Sequence, residues 1–313
     1  VNPADIWKET GRWYDVDAEM GRFSDRSNRD MVLAMTHEEV VADLVRKEIK
    51  SYRQLPQMIY HIQTKWRDDP RPRSGLLRVR EFTMKDSYSL DVDEAGLAKQ
   101  YDAHSKAYLR IFRRCGLPTV AVSADVGIMG GSRSDEFMYL TPVGEDTIFF
   151  CDNCSYSANG QVALFKKSEV PSEALEEQGR IATPNTSTIK ELSEFLGIEA
   201  TKTAKVVFVV GRFKDEEGVS ESERLVAAVI RGDLDVSETK LANAVKAAGL
   251  RPARDDEIAA CGAVAGYASP IGLIGGAVVV ADDSIPSSPN LVSGANEEGF
   301  HIRNINYGRD FEA

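Results

Sequence analysis

Residues 65–91, KWRDDPRPRSGLLRVREFTMKDSYSLD, constrain this chain more than any other stretch. Two runs, 58–66 and 77–90, read as strands, and the Arg/Pro loop between them can continue neither. Five arginines sit in this short span: Arg67, Arg71, Arg73, Arg78 and Arg80. Phe82 follows Arg78 by four positions, and Asp86 follows Phe82 by four. Arginine offers a planar, permanently charged fork that matches phosphate oxygens. An aromatic ring beside it can stack on a base. The pattern therefore predicts a nucleotide site on an antiparallel pair of strands.

A chain of 313 residues can hold two domains. The net charge of −11 argues against nonspecific coating of nucleic acid. It leaves open an RNA partner recognised by shape and local patches. No apolar run reaches membrane-spanning length, and the first residues show no signal-peptide pattern, so the expectation is a cytoplasmic protein without membrane contact. Four cysteines are too few for a disulfide scaffold. Cys151 and Cys154 form a CxxC, which reads as a tight turn between strands or as half of a zinc site. With two ligands where four are normal, no metal site is assigned.

Residues 36–51 form the clearest helix. Thr36 with Glu39 reads as a capping box, and Val40, Val41, Leu44, Val45 and Ile49 share an apolar face. Residues 94–115 predict a second amphipathic helix, stopped at Gly116. Strands are expected near 119–123, 136–141 and 147–150, with a glycine-rich loop after the first. Residues 167–180 are charged and Ser/Glu-rich, as a linker would be. A second pattern follows, with helices at 186–196, 237–248 and 255–260. Its strands fall at 205–210, 224–230 and 276–281. Continuous Val/Ile/Ala strands mixed with helices predict an α/β or α+β domain whose sheet is covered on both faces. The chain opens within what reads as a helix.

The order Trp66-Arg67-x-Asp69, a variable loop, Arg78-x-x-x-Phe82 and x-x-x-Asp86 resembles motif 2 of the class II aminoacyl-tRNA synthetases. The flanking THEEVVADLVRKEIKSYRQLP and MKDSYSLD resemble the bacterial-type prolyl-tRNA synthetases. That resemblance implies an α+β protein. A partial catalytic domain on an antiparallel sheet would occupy 1–165, an inserted mixed α/β editing domain of the deacylase type 166–307, and a return to the catalytic domain 308–313. It also implies an internal piece of a longer homodimeric protein, poor in aminoacylation without the third class II motif. The implied activity joins proline to tRNA(Pro) with ATP and Mg²⁺, through a prolyl-adenylate.

Carried over residue by residue, Arg67 grips the α-phosphate, and Arg78 and Phe82 hold the nucleotide. Asp69 stands near the adenine where the family usually has glutamate. Arg71 and Arg73 approach the tRNA acceptor end, or are solvated loop charges. Thr36-His37-Glu38 resembles the loop that binds proline's amino group. A secondary ammonium has two N–H donors, which a carboxylate (Glu38) and a second acceptor (Thr36) would satisfy. Thr36 reads equally as an N-cap, and Glu38 as a first-turn carboxylate. Met35 stands where proline is common. Residues 127–134 with Glu136 and Phe137 resemble a strand-loop lining the proline pocket, with Asp135 in place of a usual histidine.

The segments TPNTSTIKELSEFLG, KVVFVV with its opening lysine, Arg231-Gly232-Asp233, GAVAGYASP, SGAN and GFH resemble the inserted editing domain. The implied reaction is hydrolysis of Ala-tRNA(Pro). A pocket shaped for proline rejects the smaller alanine by only about 1–3 kcal/mol per missing methylene, so a second pocket is needed. Lys205 would bind the tRNA 3′ end, or is a strand-entry charge. Gly262, Gly266 and Pro270 would form a loop whose N–H groups polarise the ester carbonyl. His301 would border the alanine pocket, or is a packed polar residue. A competing reading makes this chain an aminoacyl-tRNA deacylase alone.

Overall fold

The computed structural model describes residues 1–16, 18–127, 130–167, 170–214 and 221–313. It divides into two compact units, Val1–Pro118 and Thr119–Ala313. This division falls before the 165/166 boundary expected from sequence.

The first unit opens with strand β1 (Asn2–Pro3), not inside a helix as expected. Helices α1 (Asp5–Glu9) and α2 (Arg12–Asp15) follow, separated by Gly11 in the left-handed region at φ 78°. Strands β2 (Gly21–Ser24) and β3 (Asp30–Leu33) complete a small antiparallel sheet with β3 in the middle. Trp7, Val16, Met20, Val32, Ala34 and Met35 form its core.

Helix α3 (Glu38–Glu48) is shorter than the expected 36–51, and the Thr36–Glu39 capping box does not form. The Thr36 hydroxyl donates instead to the Glu38 carboxylate. The Glu39 carboxylate is buried and accepts from Arg12 at 2.8 Å, so it cannot reach back to the helix start. At the other end Ile49 turns extended, and Ser51 caps a 3₁₀ turn at Tyr52–Gln54.

Strands β4 (Gln57–Trp66) and β5 (Glu81–Leu90) pair antiparallel, from Gln57 opposite Leu90 to Trp66 opposite Glu81. The second strand begins at 81 rather than 77. Arg73 and Arg78 instead pair across a separate turn that holds Ser74 and Gly75 at φ 56° and 61°. Helix α4 (Glu94–Arg114) is capped by the Asp93 side chain. It docks on the outer face of β5 through His104 to Ser87 at 2.8 Å and Lys85 over the Tyr108 ring at 5.3 Å.

The second unit begins with a four-stranded sheet of β6 (Thr119–Ser123), β7 (Asp135–Tyr139), β8 (Ile148–Phe150) and β9 (Ser157–Asn159). Its order is β7-β6-β9-β8. Cys151 and Cys154 lie in the β8–β9 connection, where the Cys151 N–H donates to the Tyr156 carbonyl at 3.0 Å. The chain continues through β10 (Gly179–Ala182), α5 (Ile189–Leu196), β11 (Ala204–Lys214), β12 (Glu221–Arg231) and α6 (Glu238–Val245). It ends with β13 (Gly249–Pro252), α7 (Asp255–Ala260), β14 (Val278–Ala281), β15 (Leu291–Gly294) and β16 (Phe300–Ile305). Within the expected linker, residues 168–169 lie outside the described residues, and 179–180 belong to β10. Helix α5 starts at 189 because Thr188 and Glu191 form a capping box.

The central sheet has the order β13-β11-β12-β14, with β12 and β14 parallel and the other pairs antiparallel. Successive side chains alternate between its faces. Val209, Val226 and Ala228 meet Leu241 of α6 on one face. Phe208 and Ala227 meet Cys261 and Ala263 on the other, beside Ala204 and Val229 packed on Ile285, Leu291 and Ile305. The sheet is thus covered on both faces, as its unbroken apolar strands require. A second sheet, β10-β16-β15, holds strands too short and polar to be read in advance.

Gly294 marks the closest approach between loop and sheet. A Cβ there would lie 2.1 Å from the Tyr267 carbonyl carbon. Gly294→Ala is therefore expected to cost about 3 kcal/mol through overpacking. The check is a lowered urea midpoint for the transition of the second unit.

Candidate active site

In the first unit, the segment before α3 is tied to the end of β4. Trp66 N–H donates to the Ala34 carbonyl at 2.9 Å, and Arg67 Nε donates to the Met35 carbonyl at 3.2 Å. The Arg67 guanidinium lies 5.5 Å from the Phe82 ring centroid. Its two terminal nitrogens meet no acceptor among the described residues. One end of the guanidinium is fixed, and the other remains available to a ligand. Thr36 and Glu38 are brought together by their hydrogen bond, and Arg12 lies 3.6 Å from the Glu38 carboxylate.

Asp69 accepts from Arg78 Nε at 2.6 Å and from the Arg71 N–H at 2.7 Å. The Arg78 bond holds its carboxyl below the usual carboxylate range. Asp68 pairs with Arg80 at 3.0 Å. Arg71 and Arg73 sit on an exposed loop beside Leu76 and Leu77, which are 93% and 89% exposed.

Sequence reasoning missed the cluster beneath this site. The Lys65 side chain is fully buried, bonds Asp86, and lies 3.2 Å from His61 Nε2. His61 Nε2 lies 2.8 Å from Asp86, and the His37 ring meets His61 edge-on at 5.0 Å. Burial first, then the charges of Lys65 and His61, push the His37 imidazole down to about 4. The only available signal was period-2 spacing of His61 and Lys65, and it becomes meaningful once the strand register places Asp86 opposite His61.

In the second unit, Glu136 on β7 is exposed and accepts from Asn159 at 3.4 Å. Asp135 pairs with Arg133 at 2.8 Å. Within the expected glycine loop 127–134, residues 128–129 lie outside the described residues.

Gly262 and Gly266 both adopt the left-handed region, at φ 80° and 81°, which favours glycine. A Cβ on Gly266 would meet Ser187 at 3.0 Å. Pro270 is buried at the loop's end. Asn296 clamps this loop. Its Oδ1 accepts from the Ser269 N–H at 2.7 Å, its Nδ2 donates to the Ile271 carbonyl at 2.8 Å, and its own N–H donates to the Tyr267 carbonyl at 2.8 Å. His301 is buried on β16, with Nδ1 2.6 Å from the Thr183 hydroxyl and its ring 5.5 Å from Tyr267. Burial lowers its pKa. Asn296 and Thr183 stood in quoted segments, yet nothing local marked their roles.

Lys205 does not join this group. On β11 it alternates with Ala204 and Val206, so it leaves the sheet on the α6 face, opposite the face that carries Cys261 and Ala263. Its ammonium pairs with Asp235 at 2.8 Å, and that carboxylate is 98% exposed.

The family of class II tRNA synthetase core domains (G, H, P, S and T) matches residues 19–231, a span that holds both Arg67 and Phe82. The chain belongs to the class II tRNA synthetase core family. The aminoacyl-tRNA editing domain family matches residues 183–311 of this class II chain, from Thr183 past His301. A proline–tRNA ligase of Salinispora tropica is 54% identical over 313 residues, covering 100% of this chain and 52% of the relative. One from Dehalococcoides mccartyi is 46% identical over 313 residues, covering 100% and 53%. One from Acidobacterium capsulatum is 46% identical over 322 residues, covering 99% and 55%. The class II chain thus spans about half the length of the curated relatives it matches.

Two outcomes are expected from the buried histidines. Thr183→Val removes the partner of His301 Nδ1 and should cost about 1–3 kcal/mol, read by denaturant unfolding. Both His37 and His301 titrate below the ordinary histidine value of 6.5. The unfolded chain therefore takes up these protons first as pH falls. Stability should be full above 6.5 and decline below it, for His37 down to about 4. His37→Gln should flatten part of that slope between pH 7 and 5.

Proposed function

We propose that this chain carries the amino-acid activation site and an editing site of a proline–tRNA ligase. The observation that carries the first part is the Arg67 guanidinium, anchored by Nε to the Met35 carbonyl, set against Phe82, and open at its terminal nitrogens. In activation, a carboxylate oxygen of proline attacks the α-phosphorus of ATP, and pyrophosphate leaves with the electron pair. Negative charge grows on the α-phosphate oxygens in the transition state, where a fixed guanidinium stabilises it most. Phe82 would stack on the adenine, with the Asp69–Arg78 pair at its edge. Thr36 and Glu38 would receive the two N–H groups of the proline ammonium. A tRNA(Pro) hydroxyl would then attack the carbonyl carbon and release AMP, with Arg71 and Arg73 meeting the acceptor end.

The carboxylates beside Arg67, Asp68 and Asp69, are both taken by arginines. This donor set does not fit a resident Mg²⁺, which would enter on the phosphates of ATP.

For editing, Gly262, Gly266 and Pro270 shape the clamped loop, whose N–H groups would polarise the ester of Ala-tRNA(Pro). His301, fixed by Thr183, would border the alanyl side. The ion pair of Lys205 with an exposed carboxylate is weak and exchangeable, so its ammonium suits a tRNA phosphate at the rim. A soluble cytoplasmic homodimer fits this reading, and among the described residues no helix is long and apolar enough to cross a membrane.

The test is proline-dependent pyrophosphate exchange by the natural-length protein. Arg67→Ala should lower it by about 3 kcal/mol, roughly 100-fold. Exchange that ignores proline, or survives Arg67→Ala unchanged, sinks the activation reading. The editing reading stands on Ala-tRNA(Pro) being hydrolysed faster than Pro-tRNA(Pro), with Lys205→Ala slowing the reaction; equal hydrolysis of the two esters sinks it.

A further inference from the structure

Among the described residues, His37, His61 and Asp86 are grouped with potential ligand atoms all within 4.8 Å of one another. Two imidazoles and a carboxylate are a donor set that would suit Zn²⁺. Lys65 argues against that use. Its side chain is 0% exposed, its Nζ bonds Asp86, and it lies 3.2 Å from His61 Nε2. A charge so buried must be paired, and this one is paired with the groups a metal would need. Burial alone would raise the Asp86 carboxyl, yet the bonded Lys65 and then His61 bring it below its ordinary value. The protein's own ammonium occupies the place of the cation.

This cluster also supports a loop. His37 stands between Thr36 and Glu38, is 6% exposed, and its Nδ1 meets no hydrogen-bond partner among the described residues. Its ring is held edge-on against His61, at 5.0 Å and 80° between planes. His61 is in turn held by Asp86 at 2.8 Å and by contact with the Tyr88 ring at 5.7 Å. A line of contacts therefore runs from Lys65 through Asp86 and His61 to His37. The nucleotide groups Arg67 and Phe82 are not links in it.

We propose that Lys65 is the resident cation of this cluster and a positioning residue for the Thr36–Glu38 loop, acting through Asp86, His61 and His37. Its loss would loosen capture of a substrate ammonium while leaving nucleotide capture largely intact. The proposal rests on reading Thr36 and Glu38 as the amine-recognition loop.

The test uses Lys65→Met in the natural-length protein. The proline KM should rise about ten-fold while the ATP KM stays within about two-fold. The histidine ¹⁵N resonances of His37 and His61 should shift together. The double variant Lys65→Met/Asp86→Asn removes both charges with near-isosteric groups. It should recover thermal stability but keep the raised proline KM. A purely structural role predicts recovery of both, and that result overturns the proposal. So does Lys65→Met with proline KM and His37 resonances unchanged, or stoichiometric Zn²⁺ binding by the unaltered protein that shifts both histidines. Should Lys65→Met fail to fold, the double variant and His37→Gln, also expected to raise the proline KM, decide the matter. Absence of proline-dependent exchange from the unaltered protein would instead overturn the functional reading, and the histidine resonances would then judge the positioning role alone.

Discussion

The register of β4 against β5 governs the first unit. With His61 opposite Asp86 and Lys65 opposite Phe82, one face of the pair collects Ile59, His61, Gln63, Lys65, Phe82, Met84, Asp86 and Tyr88. A slip of one residue would turn this whole set to the other face. The slip would part Lys65 from Asp86 and leave that carboxylate without its buried counter-charge, which is costly. The buried ion pair thus agrees with the register that the ten-pair ladder of β4 and β5 sets. The register in turn delivers Arg67 to the Met35 carbonyl and Phe82 to Arg67.

The second unit solves a different problem. Its central sheet is apolar on both faces and needs cover on both. Helix α6 supplies one cover, and the segment after α7 supplies the other. That second cover includes the loop from Gly262 to Pro270, so the candidate editing loop is also part of the core's lid. Asn296 satisfies the loop's backbone groups with its side-chain amide, as buried polar groups require. Gly294 leaves the space in which Tyr267 lies. The same contacts that stabilise the fold hold the loop in one shape.

Much of this was legible in the chain. Long helices and strands with strong periodicity fell close to their expected spans, as α4 and β4 show. Shorter pieces did not. The strands at Gly179–Ala182, Leu291–Gly294 and Phe300–Ile305 carry too few apolar residues to signal themselves, and only their partners make them strands. The Thr36–Glu39 capping box failed because Arg12, distant in sequence, captures the Glu39 carboxylate. A local rule yielded to a tertiary ion pair.

The sequence by itself determined the chemistry on offer: an arginine followed by an aromatic ring at motif spacing, a threonine and a carboxylate ahead of a helix, and a glycine loop ending in proline. These are properties of residue type and spacing along the chain. Only the tertiary structure decided which of them meet. It set Arg67 beside Phe82, buried Lys65 among two histidines and an aspartate, paired His301 with Thr183, and placed Lys205 on the face of its sheet opposite Cys261 and Ala263. The physical reason is that strand register and sheet face are set by long-range pairing and by which apolar side is covered, and neither is encoded within any single segment.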